Sequence, residues 1–124
     1  MKILESAENY LETILILRQR NGSVRSIDIA NELEYSKPSV SNAMKSLRQK
    51  DLITMDTSGL IELTQKGEQI AQDVYEKHVL LGKFLMMIGV SEEVAKADAC
   101  RIEHVISEET FEKIKEHINK IKSE

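Results

Sequence analysis

The 124 residues carry a formal net charge of −4, and 31% of them are charged, which fits a soluble protein of one compact unit or two small ones. No apolar run approaches the roughly 20 residues of a membrane span, and the start MKILESAENY lacks the features of a signal peptide. With one cysteine and no internal disulfide, we expect a cytoplasmic protein without a membrane partner.

The charge is distributed unevenly along the chain. Between Ile16 and Lys50, seven basic residues and three acidic residues give +4, so the rest of the chain carries −8. A basic region on an acidic body is typical of a DNA-binding segment joined to a separate regulatory part. An unevenly charged but merely solvated surface is the alternative interpretation.

The first half of the chain predicts three helices. Ser6 is expected to cap the first, and Asn21-Gly22 to end it. Ser26 is expected to cap a short helix over residues 27–33. Ser36 is expected to cap a third helix with Pro38 in its first turn, where a missing N–H is harmless. The apolar residues of this third helix recur at the spacing of one helical face: Val40, Ala43, Met44 and Leu47.

A hairpin is predicted directly after these helices. Two β-prone runs, 52–56 and 60–63, flank the turn Thr57-Ser58-Gly59. Two short helices followed by a hairpin are typical of a winged helix-turn-helix, whose second helix can lie in the major groove of DNA. We therefore assign residues 1–64 to a DNA-binding domain. Its expected DNA-contacting residues are Arg25, Ser36, Lys37, Pro38, Ser39, Ser41, Asn42, Lys45 and Arg48.

The second half predicts only helices. Thr64 is expected to cap a long helix that ends near Met87, and Gly89 to break it. Ser91 and Ser107 are expected to cap two more helices. Apolar residues of the last helix recur at heptad-like spacing, suited to packing on a partner or on the body: Phe111, Ile114, Ile118 and Ile121.

Three residues of the penultimate helix have the chemistry of a metal site. Cys100, Glu103 and His104 lie at i, i+3 and i+4, which places a thiol, a carboxylate and an imidazole on one helical face. That donor set suits a divalent transition metal. Each residue also has an ordinary interpretation: a small buried thiol, a partner for Arg101 or a lysine, and a cap for a carbonyl group.

Other helices offer further donors. His78 lies on the long helix, and Asn9 and Glu12 share one face of the first helix, although either could be plain surface. His117 has no donor neighbours and is interpreted as surface.

No motif indicates an enzyme. The sequence lacks a glycine-rich phosphate loop, a nucleophile elbow and a zincin-type histidine pair. Two other classes stay open. A winged-helix regulator could sense redox state through Cys100, whose thiolate Lys96 and Arg101 would stabilise, or sense another ligand. A protein-interaction module without DNA binding is less compatible with the basic region.

Four segments resemble one family of regulators. The segments SAENYLETIL, DIANELEYSKPSVSNAMKSL, LTQKGEQIA and ADACRIEHVIS occur in order over nearly the whole chain. Together they resemble the iron- and manganese-dependent repressors of the diphtheria toxin repressor family. The resemblance implies a mainly α protein, in which a winged helix-turn-helix precedes a helical dimerisation and metal-binding domain over residues 65–124.

The resemblance also implies the ligands. They are expected at the positions of Asn9, Glu12, His78, Cys100, Glu103 and His104. Iron-type members share Cys100 and have Met at the position of Asn9. Manganese-type members share Glu12 and have Asp and Glu at the positions of Asn9 and Cys100. The iron-type ancillary site departs further, because Gly82 and Lys96 stand at or near positions where that site has Glu and His.

A specific function follows from the resemblance. We expect a homodimer that binds a palindromic operator in double-stranded DNA when it holds Fe(II) or Mn(II), and that represses metal-uptake genes. The thiol of Cys100 favours Fe(II) over Mn(II), and Co(II), Ni(II) or Zn(II) are expected to substitute in vitro. The short chain is expected to lack the SH3-like third domain of longer members.

Overall fold

The computed structural model describes the backbone of residues 5–123 and the side chains of residues 5–121. It is mainly helical, with one two-stranded hairpin, as the sequence predicts. In chain order the elements are α1 (Glu5–Asn21), α2 (Ser26–Leu33), α3 (Lys37–Gln49), β1 (Ile53–Met55), β2 (Ile61–Leu63), α4 (Gln65–Met87), α5 (Glu92–Ile102) and α6 (Glu108–Ser123). No helix in this described part is both long and apolar enough to cross a membrane.

Three of the predicted helix caps are confirmed by hydrogen bonds. The Ser39 N–H donates to Ser36 Oγ at 3.2 Å, and the Gly67 N–H donates to Thr64 Oγ1 at 3.1 Å. Ser107 Oγ likewise accepts the N–H of Thr110, at 3.1 Å. These hydroxyl groups satisfy backbone donors that a helix leaves unpaired in its first turn.

Three other cap predictions need correction. Ser6 lies inside α1. Arg25, rather than Ser26, is the N-cap of α2, because the Asp28 carboxylate accepts the Arg25 backbone N–H at 2.9 Å. Ser91 does occupy the N-cap position of α5, but its side chain makes no capping hydrogen bond. At α2, the stabilising side chain is therefore an acidic residue of the first turn, which accepts the N–H of the N-cap residue.

The chain divides into two compact units between Gln72 and Asp73, inside α4. The division falls later than the predicted domain boundary after residue 64, which stays a prediction. The core of the first unit is built from apolar faces of its helices and hairpin. Its fully buried side chains include Leu11, Ile14, Leu15, Ile29, Val40, Met44 and Leu52. Those on the helices follow the spacing that burial of one helical face requires.

The wing of the first unit is a short antiparallel hairpin, as predicted. Ile53 pairs with Leu63, and Met55 with Ile61. At the turn, Asp56 Oδ1 accepts two backbone N–H groups, those of Ser58 and Leu60, each at 2.9 Å. Asp56 therefore fixes the turn through its own side chain.

The second unit contains the rest of α4 together with α5 and α6. Ion pairs join α4 to α6, since Lys77 Nζ lies 2.9 Å from Glu108 and Lys115 Nζ lies 2.7 Å from Glu76. The heptad-like positions of α6 differ in burial: Phe111 and Ile118 are buried, Ile114 is half-buried and Ile121 is exposed.

Within the first unit, an arginine of α1 forms an ion pair with a glutamate at the beginning of α4. Arg18 donates from both terminal nitrogens to the two carboxylate oxygens of Glu68, each at 2.7 Å. The bond from Arg18 holds the pKa of Glu68 below its usual value, and the bond to Glu68 raises the pKa of Arg18. Such a bidentate ion pair fixes the orientation of the two side chains as well as the distance between them.

The pair makes the stability of the protein pH-dependent. Because the pKa of folded Glu68 is lowered, its stabilisation is present above the ordinary value of 4.5 and is lost as pH falls through the lowered value. Both side chains are more than a third exposed, so we expect Glu68→Gln to cost about 0.2–1 kcal/mol at pH 7. The cost should vanish in acid. Thermal unfolding from pH 7 to pH 3 measures it, with Glu62→Gln, an exposed glutamate of β2, as control. A cost that is constant with pH contradicts the role of the charge.

Gly67 permits the close approach of α4 to the backbone of Leu52, the residue before β1. A Cβ at residue 67 would lie 2.0 Å from the backbone oxygen of Leu52. We expect Gly67→Ala to lower the free energy of unfolding by about 2–4 kcal/mol, because backbone must move to relieve the clash. Gly82 on the same helix has nothing within 4 Å of such a Cβ, so Gly82→Ala should stabilise by about 0.5–1 kcal/mol. Urea unfolding of both variants tests this, and equal signs would contradict it.

Candidate metal centre and DNA-binding face

A buried carboxylate lies at the centre of the second unit's polar cluster. The helix α5 ends at Ile102, and Glu103 follows it as C-cap, with its N–H donating to Ala99 O at 3.0 Å. The side chain of Glu103 has 0% of its surface exposed. A buried anion is unfavourable unless a positive or hydrogen-bonding group compensates its charge.

Two imidazoles flank this carboxylate. His78 of α4 places Nδ1 at 2.9 Å from Glu103 Oε2, and His104 places Nε2 at 3.3 Å from Glu103 Oε1. The His104 side chain is 3% exposed and that of His78 is 28% exposed. The two oxygens of Glu103 therefore face two different imidazole nitrogens.

The donor chemistry of this cluster fits a divalent cation. Glu103 Oε1 is buried and accepts no hydrogen bond from the described residues. Imidazole nitrogen and carboxylate oxygen are ligands that first-row divalent metals accept. The charge of a bound cation would compensate that of the buried carboxylate.

The other predicted donors have different surroundings. Cys100 is exposed in the last turn of α5. Among the described residues, its Sγ does not form a group with His78 and Glu103 whose ligand atoms all lie within 4.8 Å of one another. Although α5 ends at Ile102, Glu103 keeps helical backbone angles, with φ −56° and ψ −26°. On α1, Asn9 is half-buried and Glu12 is only 4% exposed, so Glu12 is not plain surface.

His117 is exposed on α6, as predicted. Its ring contacts the edge of Phe84, with 6.4 Å between the ring centroids.

All nine residues predicted to contact DNA are exposed in the first unit. Most of them lie on α3, whose opposite face carries the buried Val40, Met44 and Leu47. An open cleft of about 520 Å³ runs along this helix. Its lining includes the predicted residues Ser41, Asn42, Lys45 and Arg48, and also Ser26, Met44, Gln49 and Met55.

Two of the predicted DNA contacts also serve the local structure. The Ser36 hydroxyl accepts the Ser39 N–H and donates to Ser39 Oγ at 2.8 Å. Arg25 Nη1 donates to the backbone oxygen of Ser58 at the tip of the wing, at 2.9 Å. Sequence reasoning missed this second contact, because no local pattern shows which loop approaches the beginning of α2.

Comparison with known proteins adds to this geometry. Residues 2–60 match the family model of the N-terminal DNA-binding domain of iron-dependent repressors, and residues 64–124 match that of their metal-binding and dimerisation domain. The transcriptional regulator MntR of Escherichia coli O157:H7 is 38% identical over 108 residues, which are 87% of this chain and 70% of MntR.

Two further proteins are similar over most of this chain. The iron-dependent repressor IdeR of Mycobacterium tuberculosis is 32% identical over 119 residues, which are 95% of this chain and 52% of IdeR. The solved structure of the manganese regulator SloR superposes with a TM-score of 0.80 at 30% identity, covering 96% of this chain and 55% of that one. The chain thus spans about half the length of IdeR and of the SloR chain. By name, MntR is a transcriptional regulator, IdeR an iron-dependent repressor and SloR a manganese regulator.

Removal of the buried charge should abolish metal-dependent stabilisation. For the wild type, Mn(II) at 100 times its Kd should add about 2.7 kcal/mol to the free energy of unfolding, because the ion binds only the folded chain. Glu103→Gln keeps the shape of the side chain but loses the anion, so we expect no such gain. Thermal unfolding with Mn(II) and with chelator measures both proteins. Glu93→Gln, an exposed glutamate of α5, is the control and should behave as wild type. An equal gain for Glu103→Gln would exclude Glu103 as a ligand.

Proposed function

Because the chain belongs to the iron-dependent repressor family of metal-dependent transcriptional repressors, we propose that it acts as a homodimer on a palindromic operator when it holds Fe(II) or Mn(II). The regulated genes would be those of metal uptake. The observation that supports this proposal most is the buried Glu103 carboxylate between the imidazoles of His78 and His104. A repressor that senses metal needs such a site in its regulatory part.

We propose Glu103, His78 and His104 as the central ligands. The resemblance adds Glu12 and Asn9 of α1, and the burial of Glu12 supports its part, since a buried carboxylate also needs a compensating charge. Cys100 lies three residues before Glu103 and completes the proposed set.

The identity of the metal is proposed from donor type. Imidazole and carboxylate groups serve both Mn(II) and Fe(II), whereas the thiol of Cys100 favours the softer Fe(II). We therefore propose Fe(II) first and Mn(II) second. Co(II), Ni(II) and Zn(II) should bind in vitro, because affinity alone follows the Irving–Williams order.

The position of Glu103 is compatible with one ion or two. Its two oxygens face different imidazoles, at 2.9 and 3.3 Å. If a second ion binds, we propose that Glu103, His78 and Glu12 would supply ligands for it.

The proposed mechanism links these ligands to DNA recognition. A bound ion supplies positive charge that carboxylates from separate helices can share. Glu12 is the proposed ligand that belongs to the DNA-binding unit, so metal binding would involve that unit as well. In a dimer, the two α3 helices would be fixed about 34 Å apart, the spacing of successive major grooves. A coupling of about 1–3 kcal/mol would change operator affinity about 5- to 150-fold.

The exposed face of α3 supports the DNA-binding part of the proposal. Ser39, Ser41 and Asn42 are exposed on α3 and are proposed to reach base edges, and Lys37 and Pro38 lie in the first turn of the helix. Lys45 and Arg48, lining the cleft beside the helix, are proposed to contact phosphates.

One binding experiment separates metal sensing from redox sensing through the exposed thiol of Cys100. Duplexes selected from a random pool in Mn(II) are titrated anaerobically with wild type and Cys100→Ser, in Fe(II), Mn(II) or chelator. We expect both proteins to bind DNA at least fivefold more weakly in chelator. Cys100→Ser should reduce the preference for Fe(II) over Mn(II), because a hydroxyl is a harder ligand than a thiolate.

Two results would contradict the proposal. Wild-type binding that chelator leaves unchanged would exclude metal sensing. Binding that responds to a thiol oxidant in wild type but not in Cys100→Ser, with no response to metal, would favour the redox sensor.

A further inference from the structure

The wing of this DNA-binding unit is acidic. Residues 51–63, here called the wing segment, contain Asp51, Asp56 and Glu62 and no lysine or arginine. Because the DNA backbone is a dense line of negative charge, an acidic hairpin by itself is repelled from a duplex. A wing that approaches DNA therefore needs a cation from elsewhere in the fold.

Arg25 brings a cation to the tip of the wing segment. Its Nη1 donates to the backbone oxygen of Ser58 at 2.9 Å, and the residue is exposed. The backbone of Arg25 is fixed independently as the N-cap of α2: its N–H donates to Asp28, and its carbonyl oxygen accepts the Asp28 N–H at 3.0 Å. The guanidinium contact is thus not needed for capping the helix and is free to serve the wing.

A second bond ties the same stretch of chain to the wing segment. The residue before Arg25, Val24, accepts the N–H of Ile61 on β2 at 2.8 Å. Meanwhile the Asp56 carboxylate is engaged inside the turn by the N–H groups of Ser58 and Leu60. The wing is therefore held at its strand by Val24 and at its tip by Arg25, and the charge of Asp56 is partly neutralised by the amides it accepts.

We propose that Arg25 is the positioning residue of the wing, and that its guanidinium is the cation at which the wing tip meets DNA phosphates. One N–H of the guanidinium binds Ser58, and a guanidinium has five N–H donors in a rigid fork, so others remain for a phosphate. Lysine could supply the charge but not this fork. The proposal rests on the DNA binding proposed above and adds the residue that makes the wing competent for it.

The first part of the test needs neither DNA nor metal. Amide hydrogen exchange of residues 58–60 is measured in wild type, Arg25→Gln and Arg25→Lys. Arg48→Gln is the matched control, since Arg48 is an exposed arginine of α3. We expect exchange at least threefold faster in both Arg25 variants and unchanged in Arg48→Gln. Wild-type exchange rates in Arg25→Gln would overturn the positioning role.

The second part measures duplex affinity of the metal-loaded proteins against salt concentration. We expect Arg25→Gln to bind about tenfold more weakly and to lower the magnitude of the salt slope by about 0.9, the loss of one phosphate contact. Arg25→Lys should weaken binding but keep the slope. An unchanged slope in Arg25→Gln would overturn the phosphate role. If wild type binds no duplex with any metal, the proposed function fails, while the exchange result still decides the role of Arg25 in the wing.

Discussion

The buried charge of Glu103 is the constraint on which the regulatory part of this protein depends. A fully buried carboxylate is costly in a folded protein, and the groups that compensate it here are imidazoles on either side. A divalent cation would compensate this carboxylate more strongly, because it carries two positive charges. If the proposed ion binds here, it would stabilise the conformation that forms the site, and a ligand that favours one conformation shifts the protein towards it.

Contacts within the DNA-binding unit fix its parts relative to one another. Arg18 and Glu68 fix α1 against the beginning of α4, and Gly67 lets that helix approach the backbone of Leu52. The wing is held at its strand and at its tip. A DNA-binding surface whose parts are already fixed loses little conformational entropy on binding, which favours the DNA binding proposed above.

Much of this fold follows from local sequence signals. Some features depend only on residues that are neighbours in the sequence, and the structure confirms them: the hydroxyl caps at Ser36, Thr64 and Ser107, and the turn around Gly59. Predictions were wrong where two local solutions compete, as at α2, where Asp28 rather than Ser26 satisfies the N-cap. The site was predicted only in part: helical spacing identified Glu103 and His104, but it could not show that α5 ends before them or that Cys100 is exposed. Contacts such as that of Arg25 with Ser58 depend on tertiary structure alone.

The central claim is that Glu103 and its two imidazoles hold the regulatory ion. Anomalous scattering from crystals grown anaerobically with Mn(II), recorded at a wavelength where manganese scatters strongly, locates the ion without reference to any variant. The account predicts an anomalous peak within coordination distance of Glu103 and at least one of His78 and His104. A peak bound only by exposed groups such as Cys100, with Glu103 still facing its imidazoles as it does here, would contradict it.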